Sequence, residues 1–204
     1  MTTPQYDCHS SLLWMIEQSR TYGIAIAGSL VIIDDGKAYN RLYFVKPDGT
    51  YVSYDKRHLF TYGGEDRRYT PGHSRTTVEW GGVTFLLQIC YDLRFPCFSR
   101  NSSDDAHRYD AAIYVANWPQ SRRSVWDTLL RARALENQCY VLGVNRIGDD
   151  TACHYNGGTA IIDAYGKDVA RANDDAPDII TATLDIGKLR SFRKKFPVLN
   201  DADR

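Results

Sequence analysis

Hydrophobic and polar positions along the chain predict many short strands and a few helices. Apolar or alternating runs bounded by turn residues are typical of strands. We predict strands over residues 24–33, 39–45, 50–54, 77–80, 83–89, 111–116, 140–145, 157–162, 167–172 and 179–184. The run 24–33 is almost continuously apolar, so we expect it to be buried on both faces.

Apolar residues at helical spacing predict helices over residues 10–22, 124–138 and 185–196, with a short one over 96–100. The first helix has Ser10 or Ser11 as its N-cap candidate and ends at Gly23. Its expected apolar stripe is Leu12, Leu13, Met15 and Ile16. The second helix is expected to bury Val125, Leu129, Ala132 and Leu135, with Arg131, Arg133 and Glu136 on its other faces. Helices beside buried strands indicate a layered α/β fold.

Size and charge limit the classes of protein to consider. The chain has 204 residues, which suits a single domain over 1–204, and its formal net charge is zero. We therefore expect no nucleic-acid partner and no membrane partner. The N-terminus lacks the features of a signal peptide, and the five cysteines have no zinc spacing. These features predict a cytoplasmic protein with reduced thiols.

Candidate chemistry begins at Cys90, which ends the predicted strand 83–89. Ligands bind at that end of strands in open α/β sheets, and backbone N–H groups or cations there stabilise a thiolate. A lone cysteine is also often a packing residue. Lys56 follows another strand and is by itself typical of a solvated loop charge. The long polar loop 61–75, which holds Glu65, is typical of a functional or mobile segment.

Three segments together resemble the nitrilase superfamily of carbon–nitrogen hydrolases, and in particular its omega-amidase subgroup. They are Tyr54–Phe60 (YDKRHLF), Glu65 six positions before Pro71-Gly72, and Ile89–Pro96 (ICYDLRFP). The turn 117–119 and the helical segment 131–137 fit the same pattern. The resemblance covers nearly all of the chain from residue 10 onward.

The resemblance implies a four-layer α-β-β-α sandwich and hydrolysis of a small linear amide, such as the omega-amide of a 2-oxo dicarboxylic acid. It implies that Cys90 is the nucleophile and forms a thioester, releasing ammonia. Lys56 would stabilise the oxyanion with the backbone N–H of Tyr91 and lower the pKa of Cys90. Glu65 would orient Lys56 and the attacking water. Asn117 and Trp118 would line the substrate pocket, in a homodimer without cofactor or metal.

One part of the family pattern is absent from this sequence. The family's general base is a glutamate in an early Pro-Glu strand, and none of the four glutamates has that context (Glu17, Glu65, Glu79 and Glu136). We therefore expect a nitrilase-type domain that is truncated at the N-terminus. A catalytically impaired homologue or a binding subunit is the alternative function.

Several smaller hypotheses remain open at this stage. A third function is a Cys–His hydrolase, whose candidate bases are His58, His73, His107 and His154. Arg94 is expected to pair with a carboxylate and fix the turn after Cys90. The Cys8-His9 and Cys153-His154 pairs are interpreted as surface or loop residues, because neither has a second pair at zinc spacing.

Overall fold

The structure is a computed structural model that describes residues 8–201, apart from the side chains of Cys8, His9 and Asp105. Its helices are α1 (Cys8–Tyr22), α2 (Pro96–Ser99), α3 (Arg123–Asn137) and α4 (Ile186–Lys195). Its strands are β1 (Ile26–Asp34), β2 (Lys37–Val45), β3 (Tyr51–Asp55), β4 (Thr77–Trp80), β5 (Val83–Ile89), β6 (Ala111–Ala116), β7 (Tyr140–Asn145), β8 (Ile147–Asp149), β9 (His154–Asn156), β10 (Ala160–Ile162) and β11 (Asp168–Arg171).

Most strands belong to two sheets. Sheet A is antiparallel, with order β1-β2-β3, and sheet B has order β11-β10-β7-β6-β5-β4. Within sheet B, β5, β6 and β7 run parallel. Their C-terminal ends therefore meet at one edge of the sheet, which is the edge where such sheets bind ligands.

Alternating residues of β5 connect two cores, because successive side chains of a strand point to opposite faces. Phe85 and Ile89 lie with Phe44 of sheet A in the core between the two sheets. Leu86 lies with Trp126 of α3 in the core on the other face of sheet B. The predicted strands 77–80 and 83–89 are confirmed as β4 and β5, which form a hairpin with Gly81 and Gly82 both at positive φ, as a tight two-residue turn requires.

The outer layers are helical. Met15 of α1 packs with Tyr43 and Val45 on the outer face of sheet A, while α3 covers sheet B. The order α1, sheet A, sheet B, α3 confirms the expected α-β-β-α sandwich. The first helix begins earlier than predicted, at Cys8, and so neither Ser10 nor Ser11 caps it. Leu13 is 61% exposed and does not belong to the buried stripe.

The predicted stripe of α3 is correct only in part: Val125 and Leu129 are partly buried and pack against the core, but the most buried residues lie about one position away. The buried residues are Trp126, Leu130, Arg133, Ala134 and Asn137, whereas Leu135 is 50% exposed. Arg133 is buried because its guanidinium bonds inside the fold: it donates to the Leu93 carbonyl at 2.6 Å and pairs with Glu136 at 2.8 Å. These charge-assisted hydrogen bonds stabilise the buried guanidinium, and a prediction from apolar positions alone does not take them into account.

Two strand predictions need correction. The first strand is only partly buried: Ala27 packs against the core on one face and Leu30 against the core on the other, but Ile33 is 45% exposed. Residues 179–184 are not a strand, because the segment has no ladder partner, and Ile179 is 91% exposed. The β8–β9 hairpin was not predicted, since its strands have three residues each. None of the helices within residues 8–201 is long and apolar enough to cross a membrane.

Candidate active site

Cys90 lies where β5 ends and a 3₁₀ turn begins (Cys90–Arg94). Its φ is +47°, a left-handed conformation that residues with a β-carbon seldom adopt. The half-buried thiol has a long contact of 3.9 Å with the Asn117 carbonyl at the end of β6. The parallel β5–β6 pairing brings these two residues together.

Lys56 lies directly after β3, and its side chain is only 4% exposed. Its ammonium lies 2.6 Å from Glu65 Oε2. That oxygen also accepts the Phe60 N–H at 2.6 Å, while Oε1 accepts Asn40 Nδ2 at 3.2 Å. Both oxygens of Glu65 are therefore engaged, and Oε2 holds the Lys56 ammonium. A buried ammonium needs such a partner, because removing a charge from water is costly.

Opposing effects set the pKa of the Cys90 thiol. Burial is the main cause that raises the pKa of the Cys90 thiol above its ordinary value, and the charges of Glu65 and Asp92 raise it further. The Lys56 ammonium lowers this pKa but does not offset the burial. The expected lowering by Lys56 is therefore present, but burial determines the direction of the net shift.

A cavity of about 620 Å³ joins the residues that the sequence singled out. Cys90, Lys56, Glu65, Asn117 and Trp118 all line it. Tyr91, the expected source of an oxyanion N–H, lines it too. Trp118 is buried and its indole N–H donates to the Arg122 carbonyl at 2.7 Å, which fixes the ring in the wall.

Sequence reasoning missed part of this cavity. Further lining residues come from three regions: β1–β2 (Ser29, Asn40), the segment after β6 (Arg122) and the β8–β9 hairpin with its lead-in (Arg146, Cys153, Tyr155). The hairpin contributes because it follows β7 directly and returns past the C-terminal edge of sheet B. Its short strands gave no periodic signal, so only the fold reveals these residues.

Arg94 does not fulfil its predicted role. Among the described residues it forms no ion pair, and its guanidinium lies 5.2 Å over the Trp118 ring. The turn is fixed instead by Asp92, which is fully buried and accepts the Ile89 N–H at 3.0 Å. Asp92 was missed because one carboxylate after a cysteine has no sequence signature of its own.

His58, one of the candidate bases of a Cys–His hydrolase, has an acid beside its ring. Its Nδ1 lies 2.8 Å from Asp92 Oδ1, and its ring stacks on Phe95 at 3.9 Å. His58 nevertheless does not line the cavity, and the thiol of Cys90 has Asn117 as its hydrogen-bond partner. His73 contacts Arg57, whereas His107 and His154 contact aspartates and are exposed. None of these four histidines forms a Cys–His pair with Cys90.

No metal site emerges from the described part of the chain. Within it, no three histidine, cysteine, aspartate or glutamate side chains are arranged to hold an ion. Cys153 and His154 belong to the β8–β9 hairpin, where His154 is exposed between two aspartates. The side chains of Cys8 and His9 lie outside the described residues.

Known proteins are similar to this chain in sequence and in fold. The family model for carbon-nitrogen hydrolases matches residues 8–194. The omega-amidase YafV of Yersinia enterocolitica is 45% identical over 94% of this chain and 73% of its own length. The 2-oxoglutaramate amidase of Bacillus subtilis is 30% identical over 96% of this chain and 75% of its own length.

A solved structure agrees with this similarity. A CN-hydrolase superfamily protein of Xanthomonas campestris, with an arsenic adduct in its active site, is 41% identical and superposes with a TM-score of 0.92. The alignment covers 95% of this chain and 75% of that one. Fold, cavity and similarity together define an amidase-type hydrolase of carbon–nitrogen bonds. The chain belongs to the carbon-nitrogen hydrolase family of the nitrilase superfamily, within its omega-amidase subgroup.

Proposed function

We propose that this amidase hydrolyses the omega-amide of a 2-oxo dicarboxylic acid through a thioester on Cys90. The carrying observation is that Cys90, Lys56 and Glu65 line one cavity, with Lys56 buried and held by Glu65 at 2.6 Å. The substrate class is supported by the relatives, among them proteins named omega-amidase and 2-oxoglutaramate amidase.

The proposed reaction has two steps. The sulfur of Cys90 attacks the amide carbon, and the carbonyl oxygen becomes an oxyanion that Lys56 and the Tyr91 N–H stabilise. The carbon–nitrogen bond then breaks, and the thiol proton leaves with the nitrogen as ammonia. Water attacks the thioester carbon, giving the carboxylic acid and the free thiol. Each oxyanion donor is typically worth about 2.7–4 kcal/mol of barrier.

The charge of the cavity supports an anionic substrate. Glu65 neutralises Lys56, while Arg94, Arg122 and Arg146 also line the cavity. Among the described residues, the guanidiniums of Arg94 and Arg122 bond to no carboxylate and lie over the rings of Trp118 and Phe60. Half-buried cations without an acidic partner favour a ligand that carries a carboxylate.

The test compares ammonia release from 2-oxoglutaramate and from hexanamide, a linear amide without charge. One hydrogen bond to a charged group is worth about 1.5–3 kcal/mol, so we expect kcat/KM to favour the anionic amide roughly 10- to 150-fold. Cys90→Ala abolishes release, and Cys97→Ala, which removes an exposed free thiol, leaves it unchanged. Equal rates for both amides refute the substrate class, and activity in Cys90→Ala refutes the nucleophile.

A second candidate is a protein that binds or acylates without turnover. Among the described cavity residues Glu65 is the one carboxylate, and both of its oxygens already accept hydrogen bonds. A base that is already bonded serves poorly, and general acid–base help is typically worth about 10²–10⁴-fold. Ammonia release that stops after one equivalent per chain supports this candidate, and continued release refutes it.

A further inference from the structure

The left-handed backbone of Cys90 needs a cause. Conformations of this kind persist only where the surroundings determine them, and they concentrate at functional sites. The nearest side chain in the sequence that can fix this backbone by hydrogen bonds is Asp92. It lies two positions after Cys90 and is fully buried. Its carboxylate makes no salt bridge to lysine or arginine within the described residues. Its structural role therefore depends on its hydrogen bonds to other donors.

Asp92 receives four hydrogen-bond contacts. Oδ2 accepts the Ile89 N–H at 3.0 Å and the Tyr54 hydroxyl at 2.8 Å. Oδ1 accepts the His58 backbone N–H at 3.0 Å and faces His58 Nδ1 at 2.8 Å. An ionised carboxylate only accepts, so Nδ1 carries the proton in this contact. Burial and the Asp92 charge raise the pKa of Tyr54, which keeps its hydroxyl as a donor.

These contacts connect the segment that contains Lys56 with the segment that leads into Cys90. Tyr54 and His58 lie two positions before and two positions after Lys56, and Ile89 directly precedes Cys90. The Tyr54 hydroxyl also accepts the Arg57 N–H at 3.1 Å. One carboxylate thus bonds to the Tyr54 side chain before the lysine, to the His58 backbone after it, and to the backbone that leads into the nucleophile.

The geometry points to Asp92 as a positioning residue that fixes the thiol of Cys90 relative to the ammonium of Lys56, with Tyr54 and His58 as its supports. This role rests on the proposed functions of Cys90 and Lys56. Asp92 itself does not line the cavity, so it acts through the backbone that it holds and not on the substrate.

The test uses two reagents that consume the same thiolate. Acylation of Cys90 by p-nitrophenyl acetate passes through an oxyanion, whereas alkylation by iodoacetamide does not. Both rate constants are measured at Cys90 by peptide mass spectrometry. Their ratio does not depend on the fraction of Cys90 that is thiolate, so it reports how well the oxyanion is stabilised. Displacing reacting groups by about 1 Å can cost roughly 100-fold, so we expect Asp92→Asn to lower the ratio by about that factor.

Asp110→Asn is the matched control. Asp110 is also a buried aspartate, but it pairs with Arg193 at 2.9 Å and precedes β6, at the opposite end of the parallel strands from Cys90. We expect it to leave the ratio unchanged. Tyr54→Phe removes one donor to Asp92 and provides a milder variant, with a loss of about 10-fold if one of several supports is removed. Buried Cys139 should stay unreactive in each variant, which excludes general loosening.

The outcomes are separable. An Asp92→Asn ratio equal to that of Asp110→Asn, or alkylation of Cys139 together with Cys90, overturns the positioning role. Lys56→Met is measured in parallel and should also lower the ratio. If Lys56→Met leaves the ratio unchanged, the proposed function of Lys56 fails. If it lowers the ratio while Asp92→Asn and Tyr54→Phe do not, only the role of Asp92 fails.

Discussion

Replacing Glu65 with glutamine tests how Lys56 is held. The change keeps the shape of the side chain and removes its charge. Oε2 accepts the Lys56 ammonium and the Phe60 N–H, both at 2.6 Å. The Lys56 side chain is 4% exposed and that of Glu65 14%, so water cannot replace the lost carboxylate efficiently. Glu65→Gln therefore leaves a buried ammonium without a counter-charge.

The expected magnitude follows from this burial. Removing one partner of a buried ion pair costs about 3–5 kcal/mol, and we take about 3 because the glutamine oxygen still accepts a hydrogen bond. At about 2–4 °C per kcal/mol for a chain of this size, the melting temperature should fall by roughly 6–12 °C. A mobile Lys56 also stabilises the oxyanion less well, so kcat should fall by about 100-fold or more.

Calorimetry and ammonia release from 2-oxoglutaramate measure the two effects. Asp66→Asn is the control, because Asp66 is the exposed neighbour of Glu65 in the same 3₁₀ turn. We expect that control to change stability by no more than about 0.5 kcal/mol and to leave kcat unchanged. If Glu65→Gln lowers neither the melting temperature nor kcat more than Asp66→Asn does, the assigned role of Glu65 is refuted.

Three further predictions concern pH and packing. Burial raises the pKa of Cys90 above its ordinary value of 9.0, so the rate of its alkylation by iodoacetamide should still increase beyond pH 9.0. Because Lys56 lowers this pKa, Lys56→Met should move the increase to higher pH. A plateau of the rate near neutral pH contradicts this. A β-carbon at Gly143 would lie 2.5 Å from Leu130 Cδ1. Gly143→Ala should therefore lower the free energy of unfolding, measured in urea, by about 1–3 kcal/mol. An unchanged free energy of unfolding would show that α3 can shift to make room. Two aspartates raise the pKa of His154 above 6.5, so its ion pairs should form at mildly acidic pH, where the aspartates stay ionised, and be lost as pH rises through that raised pKa. An NMR midpoint at or below 6.5 contradicts this.

Strand positions in sheet B could be predicted from the sequence because these strands are short, apolar and bounded by turn residues. The predicted 77–80, 83–89, 111–116 and 140–145 match β4 to β7. The burial of sheet A was harder to predict, because apolar content does not show how far the layers on each face extend. That is why β1 was expected to be buried on both faces along its whole length, although Ile33 is 45% exposed.

Candidate site residues could be predicted where they follow strand ends. Cys90 and Asn117 follow β5 and β6, and the parallel pairing of these strands makes them neighbours. The partners of a polar side chain could not be predicted in the same way. Arg94 was assigned a carboxylate and lies over Trp118, whereas Asp92 had no assigned role and holds the turn. Such contacts depend on loops that meet only in the folded chain.

Rapid acid quenching tests the central claim, that Cys90 is the nucleophile of an amide hydrolysis. The chain is mixed with 2-oxoglutaramate, quenched during the first turnover, and the peptide that contains Cys90 is weighed by mass spectrometry. We predict a mass gain equal to the substrate less ammonia, much smaller in Lys56→Met at the same time. An unmodified Cys90 peptide from the wild-type chain, with ammonia released or without it, would contradict the claim.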